Sequence, residues 1–459
     1  MKKLISIALV LTLVLGLCAC GSLGSKEDVG LKVGYAKVNI TPELGIGLDG
    51  YGDTAFRKAD NLIDYLYTTC IAVSSGEDTV LLITFDSVSA GPKAQQAIRS
   101  ELVSALGVKD ENIFIGATHT HTAPSKSEGG YQTVLNSGCV EAAKKAIEDQ
   151  APATMLAAKP EFPGMNFVRH YQNDDGTYCG SNFGTYGNLV GHATETDPNG
   201  VLIKFDRAED KKDILMVNWQ AHPDDSREIG YTSIAAGWVG PLRDRLESLC
   251  GMEVAYFTGA SGNQSKDSRI EAEAHGLGWR EYGEKMADLI NEALPQLQPV
   301  NGTAIKTGRA IVEVDINHEW DHMVKEATEV NQLWKSTGDK ETSTRLAYTY
   351  GFSSVYQAGA ILTRAAKGKS EQMEINVFSI GELGFTTGTY EMFSDAGLFV
   401  KQNSPFETTF LISGNSSYIP TEKAYREYRC YESDTSQYAP GTAEKLADKY
   451  VEMLNALKQ

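Results

Sequence analysis

The sequence predicts an α/β protein in which a mixed β-sheet core is layered with helices in one large body. Strand-like and helix-like segments alternate along the chain, as they do in layered α/β architectures. No internal repeat and no Pro/Ser-rich linker divides the 459 residues, and 42% of them are hydrophobic, which suffices for a large core.

Three segments predict strands, because their apolar runs are bounded by turn residues. These segments are GYAKVNITP (34–42), DTVLLITFDSVSA (78–90) and ENIFIGATHT (111–120). Four further segments predict helices from apolar spacing of three to four residues, a terminal glycine or an amphipathic pattern. These segments are 92–107, 136–152, 240–251 and 441–459.

The first residues are typical of a targeting segment. MKK precedes the apolar run LISIALVLTLVLGL, which is too short for a comfortable membrane span, and L-C-A-C-G-S follows. This pattern resembles a bacterial lipoprotein signal. We therefore expect a signal peptide over 1–19, a lipid on Cys20, a tether over 20–30 and a folded body over 31–459, anchored at the cell surface outside the cytoplasm. The alternative is an ordinary secreted protein in which Cys20 carries no lipid.

Charge and cysteine content exclude several classes of function. The formal net charge is −18, so the surface should repel nucleic acid and anionic membranes. Two of the seven cysteines, Cys18 and Cys20, belong to the signal region, and the others stand far apart without C-x-x-C spacing. They indicate neither a disulfide scaffold nor a cysteine-based zinc site, and their odd number leaves at least one thiol free.

Histidines follow two apolar strand-like runs. In GATHTHTAP, His119 and His121 lie one residue apart, and a continuing strand would place both imidazoles on one side. His222 in AHPDD follows the run ILMVNWQ. Such imidazoles suit a metal or an acid/base site, although a polar strand end with one core histidine has the same pattern. AHPDD also resembles, locally, the zinc-binding element of LmbE-type N-acetylglucosamine deacetylases, which lies at their first strand.

A third histidine motif, HEWDH at 318–322, matches H-E-x-x-H, in which two histidines one helical turn apart bind zinc and the glutamate is the base. That motif normally lies inside a core helix. Here it follows the strand-like VEVDIN, carries Asp321 and would open its helix. We therefore expect a solvated helix start, and the alternative is a secreted zinc metallopeptidase that uses HEWDH.

A broader resemblance covers nearly all of residues 31–459. The motifs VGYAKVNITPELGIGLDGYG, GATHTHTAPS, NWQAHP, VAYFTGASGNQS, GTYEMF and GNSSYIPTEKAYREYRCYE occur in the order expected of the neutral/alkaline ceramidase family. The match is to the N-terminal catalytic part of these zinc amidases, which cut the N-acyl bond of ceramide. The resemblance implies a Zn²⁺ cofactor held by His119, His222, Glu391 and Tyr418, with room for a water whose pKa the ion lowers to about 7.

The resemblance also implies three residues that assist the reaction. His121 would exchange a proton with water or the leaving amine. Arg169 would hold the carbonyl oxygen as charge develops, although it could instead form a surface salt bridge. Ser265 would lie near the scissile bond, as a nucleophile or as an orienting group. We expect His170, next to Arg169, to be structural.

The sequence departs from the family's pattern in parts that we expect to affect substrate binding. Lys266 and Asp267 stand where ceramidases have Pro-Asn, and Gly237 stands where an acidic residue is common. Because the sequence ends soon after PGTAEKL, we also expect no C-terminal immunoglobulin-like domain. We therefore predict a zinc-dependent hydrolase of a small amphipathic N-acyl substrate. Candidates are ceramide, a related N-acylated lipid, an acylated amino acid and an N-acyl amino sugar. The alternative is a non-catalytic solute-binding lipoprotein, which needs no aligned metal ligands.

Overall fold

The computed structural model describes residues 30–270 and 276–459. The predicted signal peptide and Cys20 lie outside the described residues. The strands are β1 (Lys32–Asn39), β2 (Asn61–Leu62), β3 (Tyr67–Ser75), β4 (Asp78–Phe85), β5 (Ile113–Ala117), β6 (Ala151–Ala158), β7 (Phe167–Val168), β8 (His170–Asn173), β9 (Tyr178–Gly180), β10 (Leu189–His192), β11 (Val201–Arg207), β12 (Ile214–Trp219), β13 (Ser233–Ile234), β14 (Glu253–Thr258), β15 (Gln264–Ser265), β16 (Gln298–Pro299), β17 (Ile305–Asp315), β18 (Ser370–Ile380), β19 (Leu383–Gly388), β20 (Glu391–Met392), β21 (Thr408–Ser413) and β22 (Tyr418–Ile419). The α-helices are α1 (Pro92–Leu106), α2 (Tyr131–Glu148), α3 (Ser226–Ile229), α4 (Val239–Cys250), α5 (Trp279–Ala293), α6 (Val324–Thr337), α7 (Lys340–Thr349), α8 (Val355–Ala365), α9 (Ser394–Asn403), α10 (Tyr431–Thr435) and α11 (Thr442–Lys458).

Two mixed sheets face each other around the central core. The larger sheet has the order β14-β12-β11-β6-β1-β3-β4-β5, with β16 beside β6, and the smaller sheet has the order β17-β18-β19-β21. Phe114 of β5 stacks on Phe378 of β18 across the interface, with ring centroids 4.0 Å apart. Both rings are fully buried. The continuous apolar run of β5 is therefore explained by burial on both of its faces.

Helices cover the outer faces of both sheets. Ile98 and Leu102, one turn apart on α1, pack with α2 on the larger sheet. Helices α4 and α5 pack further along that sheet, and α9 and α11 cover the smaller one. The result is a layered helix–sheet–sheet–helix body, which confirms the predicted α/β fold class.

Helices α6 to α8, which lie between β17 and β18 in the chain, form a small core of their own around Trp334 and Phe352. Lys335 Nζ of α6 donates a hydrogen bond to the Gly52 carbonyl at 2.8 Å. Tyr356 of α8 packs against Tyr431 of α10, with ring centroids 5.9 Å apart. These contacts bring the helices close to the loop before β2 and to the end of the smaller sheet.

The predicted segments correspond to β1, β4, β5, α1, α2, α4 and α11. Two boundaries differ. Helix α2 begins at Tyr131, five residues before the predicted start, because Gly130 takes the left-handed conformation (φ 75°) that ends the preceding turn. Strand β5 ends at Ala117 and does not include the histidines. The cysteines of the described part are free thiols, and all but the half-buried Cys250 are buried. No helix in this part is long and apolar enough to cross a membrane.

Candidate metal centre

Three buried imidazoles, here called the histidine cluster (His119, His121 and His222), meet beyond the carboxyl ends of β5 and β12. His119 Nε2 lies 3.0 Å from His222 Nε2. His121 Nε2 lies 3.4 Å from His119 Nε2 and 3.2 Å from His222 Nε2. None of the three residues is more than 7% exposed. Ring nitrogens that converge in this way are the arrangement expected of metal ligands.

The curl of the larger sheet brings these distant parts of the chain together. Strands β5 and β14 stand at opposite ends of the hydrogen-bonded order. Nevertheless, Thr258 Oγ1 at the end of β14 donates to the carbonyls of Ala117 and Thr118, at 3.0 and 3.1 Å. Because β12 runs parallel to β14, the loop after β12 arrives beside the loop after β5.

His119 is held by a left-handed turn (φ 68°) and not by a strand. This conformation is unfavourable for a side chain with a Cβ and is maintained by the His119 amide, which donates to the Ser87 carbonyl at 2.9 Å. Nδ1 lies 2.5 Å from the Val88 carbonyl, which can only accept, so Nδ1 carries the proton and Nε2 offers its lone pair. The expectation that strand alternation aligns His119 with His121 was therefore wrong. The rings converge through the turn.

The two predicted oxygen ligands lie on a separate two-stranded sheet just beyond the smaller sheet. Glu391 and Tyr418 are directly paired residues of β20 and β22, which run parallel. Their register continues that of β19 and β21, where Gly388 pairs with Ser413. Glu391 Oε2 lies 3.2 Å from His119 Nε2, so the carboxylate joins the histidine cluster.

The donor set fits a zinc ion. Glu391 Oε2 and Nδ1 of His121 and His222 are buried without a hydrogen-bond partner among the described residues. Leaving a buried carboxylate oxygen unpaired is costly, so Glu391 Oε2, which lies beside His119 Nε2, is available to bind a cation. Burial holds the pKa values of His121 and His222 well below the usual range, so both imidazoles are neutral. Neutral imidazole nitrogens with a carboxylate and a phenol oxygen are ligands that suit Zn²⁺.

His121 has a carboxyl group on its other side. Its Nδ1 lies 3.9 Å from Asp224 Oδ1, and the Tyr51 ring packs on the imidazole with centroids 5.1 Å apart. The Tyr51 hydroxyl donates to Asp224. Burial raises the pKa of Asp224 to about 6. Sequence analysis missed Tyr51 and Asp224, although both lie within quoted motifs, GLDGYG and AHPDD.

Arg169 lies in the interior beside a predicted ligand. Its Nη2 donates to the Tyr418 hydroxyl at 3.1 Å and to the Gly262 carbonyl at 2.9 Å. Its Nε donates to Glu432 Oε1 at 2.7 Å. The Glu432 side chain is only 2% exposed. Arg169 thus forms a salt bridge, and its partner is a buried carboxylate.

Ser265 lies next to His222. The two residues form a parallel bridge, and the His222 amide donates to the Gln264 carbonyl at 2.9 Å. Ser265 also pairs with Phe167 of β7, the strand that Arg169 directly follows. The structure thus gathers the sequence-predicted site residues in one region: His119, His121, Arg169, His222, Ser265, Glu391 and Tyr418.

A second group of potential metal ligands, here called the Glu432 cluster (His170, Cys430 and Glu432), is also buried, with its ligand atoms within 4.8 Å of one another. Its carboxylate already has partners. Oε2 lies 2.8 Å from His170 Nε2, and Oε1 accepts from Arg169. Burial alone would raise the pKa of Glu432, but His170 and Arg169 hold it at about 2. Sequence analysis missed Glu432, although it ends the quoted motif YRCYE.

HEWDH lies before a helix, as expected. His318 precedes the short 3₁₀ turn Asp321–Met323, and α6 begins only at Val324. His318 Nδ1 lies 2.8 Å from Asp321 Oδ2, and its Nε2 lies 3.0 Å from the Gly368 carbonyl. His318 and His322 therefore do not lie one turn apart on a helix, which is the arrangement that a zinc peptidase needs.

The fold and its buried centre define a layered α/β protein with a candidate zinc site. No protein-family model matches the sequence, and no curated protein matches it. The structure is similar to that of neutral ceramidase from Pseudomonas aeruginosa, with a TM-score of 0.69, 17% identity, and 94% of this chain and 75% of that chain covered. It is also similar to a ceramidase complexed with C2, with a TM-score of 0.67 and 16% identity, and the match covers 94% of this chain and 76% of that chain. The chain therefore has the neutral ceramidase fold, as its motifs predicted.

Proposed function

We propose that this chain is a zinc-dependent amidase that hydrolyses the N-acyl bond of ceramide or of a related N-acylated lipid, amino acid or amino sugar. One observation carries the proposal. The histidine cluster and Glu391 converge in the interior of a ceramidase fold beside Tyr418, which pairs with Glu391, and Glu391 Oε2 lacks a hydrogen-bond partner among the described residues. His119, His222, Glu391 and Tyr418 would hold the ion. When bound, zinc would lower the pKa of a water to about 7 and polarise an amide carbonyl.

The protein's own groups would complete the hydrolysis. His121 is neutral and lies beside the predicted ligands, so its imidazole can accept a proton from the attacking water. As the water oxygen bonds to the acyl carbon and the C–N bond breaks, His121 returns the proton to the leaving amine. Arg169 would stabilise the negative charge that develops on the carbonyl oxygen. Ser265 would orient the amide, because no histidine next to it in sequence marks it for activation as a nucleophile.

The test is a substrate screen with the purified folded protein. Ceramides of several chain lengths, N-acyl amino sugars and N-acyl amino acids are incubated with the zinc-loaded wild type and with His119→Ala, and release of free amine is measured. We expect the wild type to turn over at least one class and His119→Ala to turn over none. Turnover of no substrate by the wild type would favour a binding protein. Full activity after exhaustive chelation, with zinc shown to be gone, would exclude the metal mechanism.

We further propose that the protein is a lipoprotein anchored through Cys20 outside the cytoplasm. The motif L-C-A-C-G-S supports this proposal, because lipid attachment needs a cysteine at that position. In cells that express the full chain, Cys20→Ser should move the protein from the membrane fraction to the medium, while Cys18→Ser should leave it in the membrane fraction. A Cys20→Ser protein that stays in the membrane fraction would contradict the proposal.

A further inference from the structure

The carboxylate of Glu432 is buried and has two partners, the guanidinium of Arg169 and the imidazole of His170. Glu432 is the second residue of α10, and its side chain is 2% exposed. Oε1 lies within 2.7 Å of Arg169 Nε and 2.6 Å of Arg169 Nη2. A carboxylate buried this deeply is stable only when it is paired, so Glu432 and Arg169 depend on each other.

The contacts of Arg169 fix two of its three nitrogens. Nε is held by Glu432, and Nη2 donates to Tyr418 and to the Gly262 carbonyl. Among the described residues, Nη1 donates no hydrogen bond. The planar guanidinium is thus clamped along one edge, with Nη1 left for a substrate atom.

A buried ring supports Glu432 from the other side. His170 Nε2 lies 2.8 Å from Glu432 Oε2. The His170 ring is packed by Phe183, Phe393 and Tyr428, with centroid distances of 5.6, 5.7 and 5.4 Å. Because these aromatic contacts fix the imidazole, His170 limits the positions open to the carboxylate.

We propose that Glu432 is a positioning residue for the amide hydrolysis, which it serves by holding the Arg169 guanidinium against Tyr418 so that Nη1 meets the developing oxyanion. The inference rests on the proposed function and adds to it a residue that does not touch the substrate. Its contribution is realised only in the transition state, where the negative charge on the carbonyl oxygen is largest. Loss of Glu432 should therefore lower kcat and leave KM nearly unchanged.

The test is a double-mutant cycle with Glu432→Gln and Arg169→Ala in the zinc-loaded protein, assayed with a short-chain fluorescent ceramide. Glu432→Gln keeps the side chain's size and one acceptor oxygen but removes the charge. We expect it to lower kcat by about 10-fold to 100-fold, and KM to change by less than about 3-fold. In the Arg169→Ala background, Glu432→Gln should lower kcat by less than about 3-fold more, because the residue through which it acts is gone.

Asp434→Asn is the matched control. Asp434 lies on the same helix, is 4% exposed, and pairs through Oδ1 with Arg429 Nε at 2.7 Å. The change also removes a buried charge from α10, but its partner is not Arg169. We expect kcat to stay within about 3-fold of wild type. If Glu432→Gln fails to fold, Glu432→Asp replaces it and should retain part of the rate, since it keeps the charge.

Three outcomes would overturn the inference. Fully additive effects of Glu432→Gln and Arg169→Ala would show that Glu432 acts independently of Arg169. An equal loss of kcat in Asp434→Asn would show a general effect of disturbing α10. Two zinc ions per wild-type chain and one in Glu432→Gln would show that the Glu432 cluster is a second metal site.

A structural readout separates this inference from the proposed function. If the wild type cleaves no substrate of the panel, the proposed function is wrong, and the position of Arg169 still tests the inference. In a crystal structure of Glu432→Gln, we expect the guanidinium to have left Tyr418 while His119, His222 and Glu391 keep their places. A guanidinium that stays in place would contradict the positioning role.

Discussion

The histidine cluster and the Glu432 cluster are both buried groups of potential metal ligands, and they differ in how their polar atoms are satisfied. In the histidine cluster, three Nε2 atoms face one another, and the nearby Glu391 Oε2 has no hydrogen-bond partner among the described residues. In the Glu432 cluster, both carboxylate oxygens are engaged, one by Arg169 and one by His170. Ligand geometry is therefore common to both clusters, and the difference lies in their carboxylates: Glu391 Oε2 beside the histidine cluster is unpaired, whereas both oxygens of Glu432 are engaged.

This difference distinguishes a cluster that can bind a metal ion from a cluster that holds a neighbouring side chain in place. His119 Nε2 offers its lone pair to the centre, and three ring nitrogens that converge within 3.4 Å of one another are the arrangement expected of metal ligands. A carboxylate whose pKa its neighbours hold at about 2 is already neutralised by those neighbours. It stabilises the guanidinium of Arg169, which in turn contacts Tyr418. Tyr418 thus links the two regions, because it pairs with Glu391 and accepts a hydrogen bond from Arg169.

The largest expected effect is loss of the metal from the histidine cluster. His119→Ala and His222→Ala should each remove a ligand, weaken zinc binding by orders of magnitude and abolish amide hydrolysis. His170→Ala should keep zinc, because His170 bonds to Glu432 and not to the ion. The measurement is zinc per chain by elemental analysis after dialysis, together with the rate of amine release.

His318→Ala and His322→Ala are the matched controls for these variants. They remove histidines of HEWDH, which lies before α6 and outside the histidine cluster. Both variants should keep about one zinc per chain and wild-type rates. Zinc loss in these variants, with zinc retained in His119→Ala, would transfer the metal to HEWDH and favour the peptidase alternative.

The sequence predicts the nitrogen half of the centre better than the oxygen half. His119 and His222 follow apolar runs, and strand ends of this kind place polar side chains at the edge of a sheet. Glu391 and Tyr418 lie on two-residue strands that have no periodic pattern. They were identified only through the order of the family's motifs, because their pairing depends on the register of β19 and β21.

Residues that act through long-range contacts escaped prediction. Glu432 pairs with Arg169 across 263 positions of the chain, and Tyr51 reaches Asp224 across 173. Apolar spacing reports only contacts within one helix or strand, so no local pattern announces these pairs. The left-handed turn at His119 was missed for a related reason, because its hydrogen bonds go to the loop after β4.

A smaller effect is expected at Ser265, which lies beside the histidine cluster without belonging to it. If Ser265 orients the amide, Ser265→Ala should keep zinc and lower kcat about 10²-fold to 10³-fold, the range for loss of one hydrogen bond in the transition state. The measurement is kcat at matched zinc content. If Ser265 is instead the nucleophile, amine release should show a burst, and mass spectrometry of quenched enzyme should find the acyl group on Ser265. That adduct would overturn the orienting role and leave the amidase proposal intact.

The smallest expected effect is on stability, and it tests the Glu432 cluster without reference to catalysis. Burial would raise the pKa of Glu432, but His170 and Arg169 lower it from 4.5 to about 2 in the folded protein. An acid with a lowered folded-state pKa stabilises the protein above its unfolded-state pKa, and this contribution is lost as the pH falls toward the folded-state pKa. Glu432→Gln cannot titrate, so the difference in unfolding free energy between wild type and Glu432→Gln should shrink as the pH falls from 4.5 toward 2.

Urea unfolding at several pH values measures this difference. A difference that stays constant over that range would mean that the Glu432 carboxylate is not held ionised by Arg169 and His170, and the contrast between the two clusters would fail.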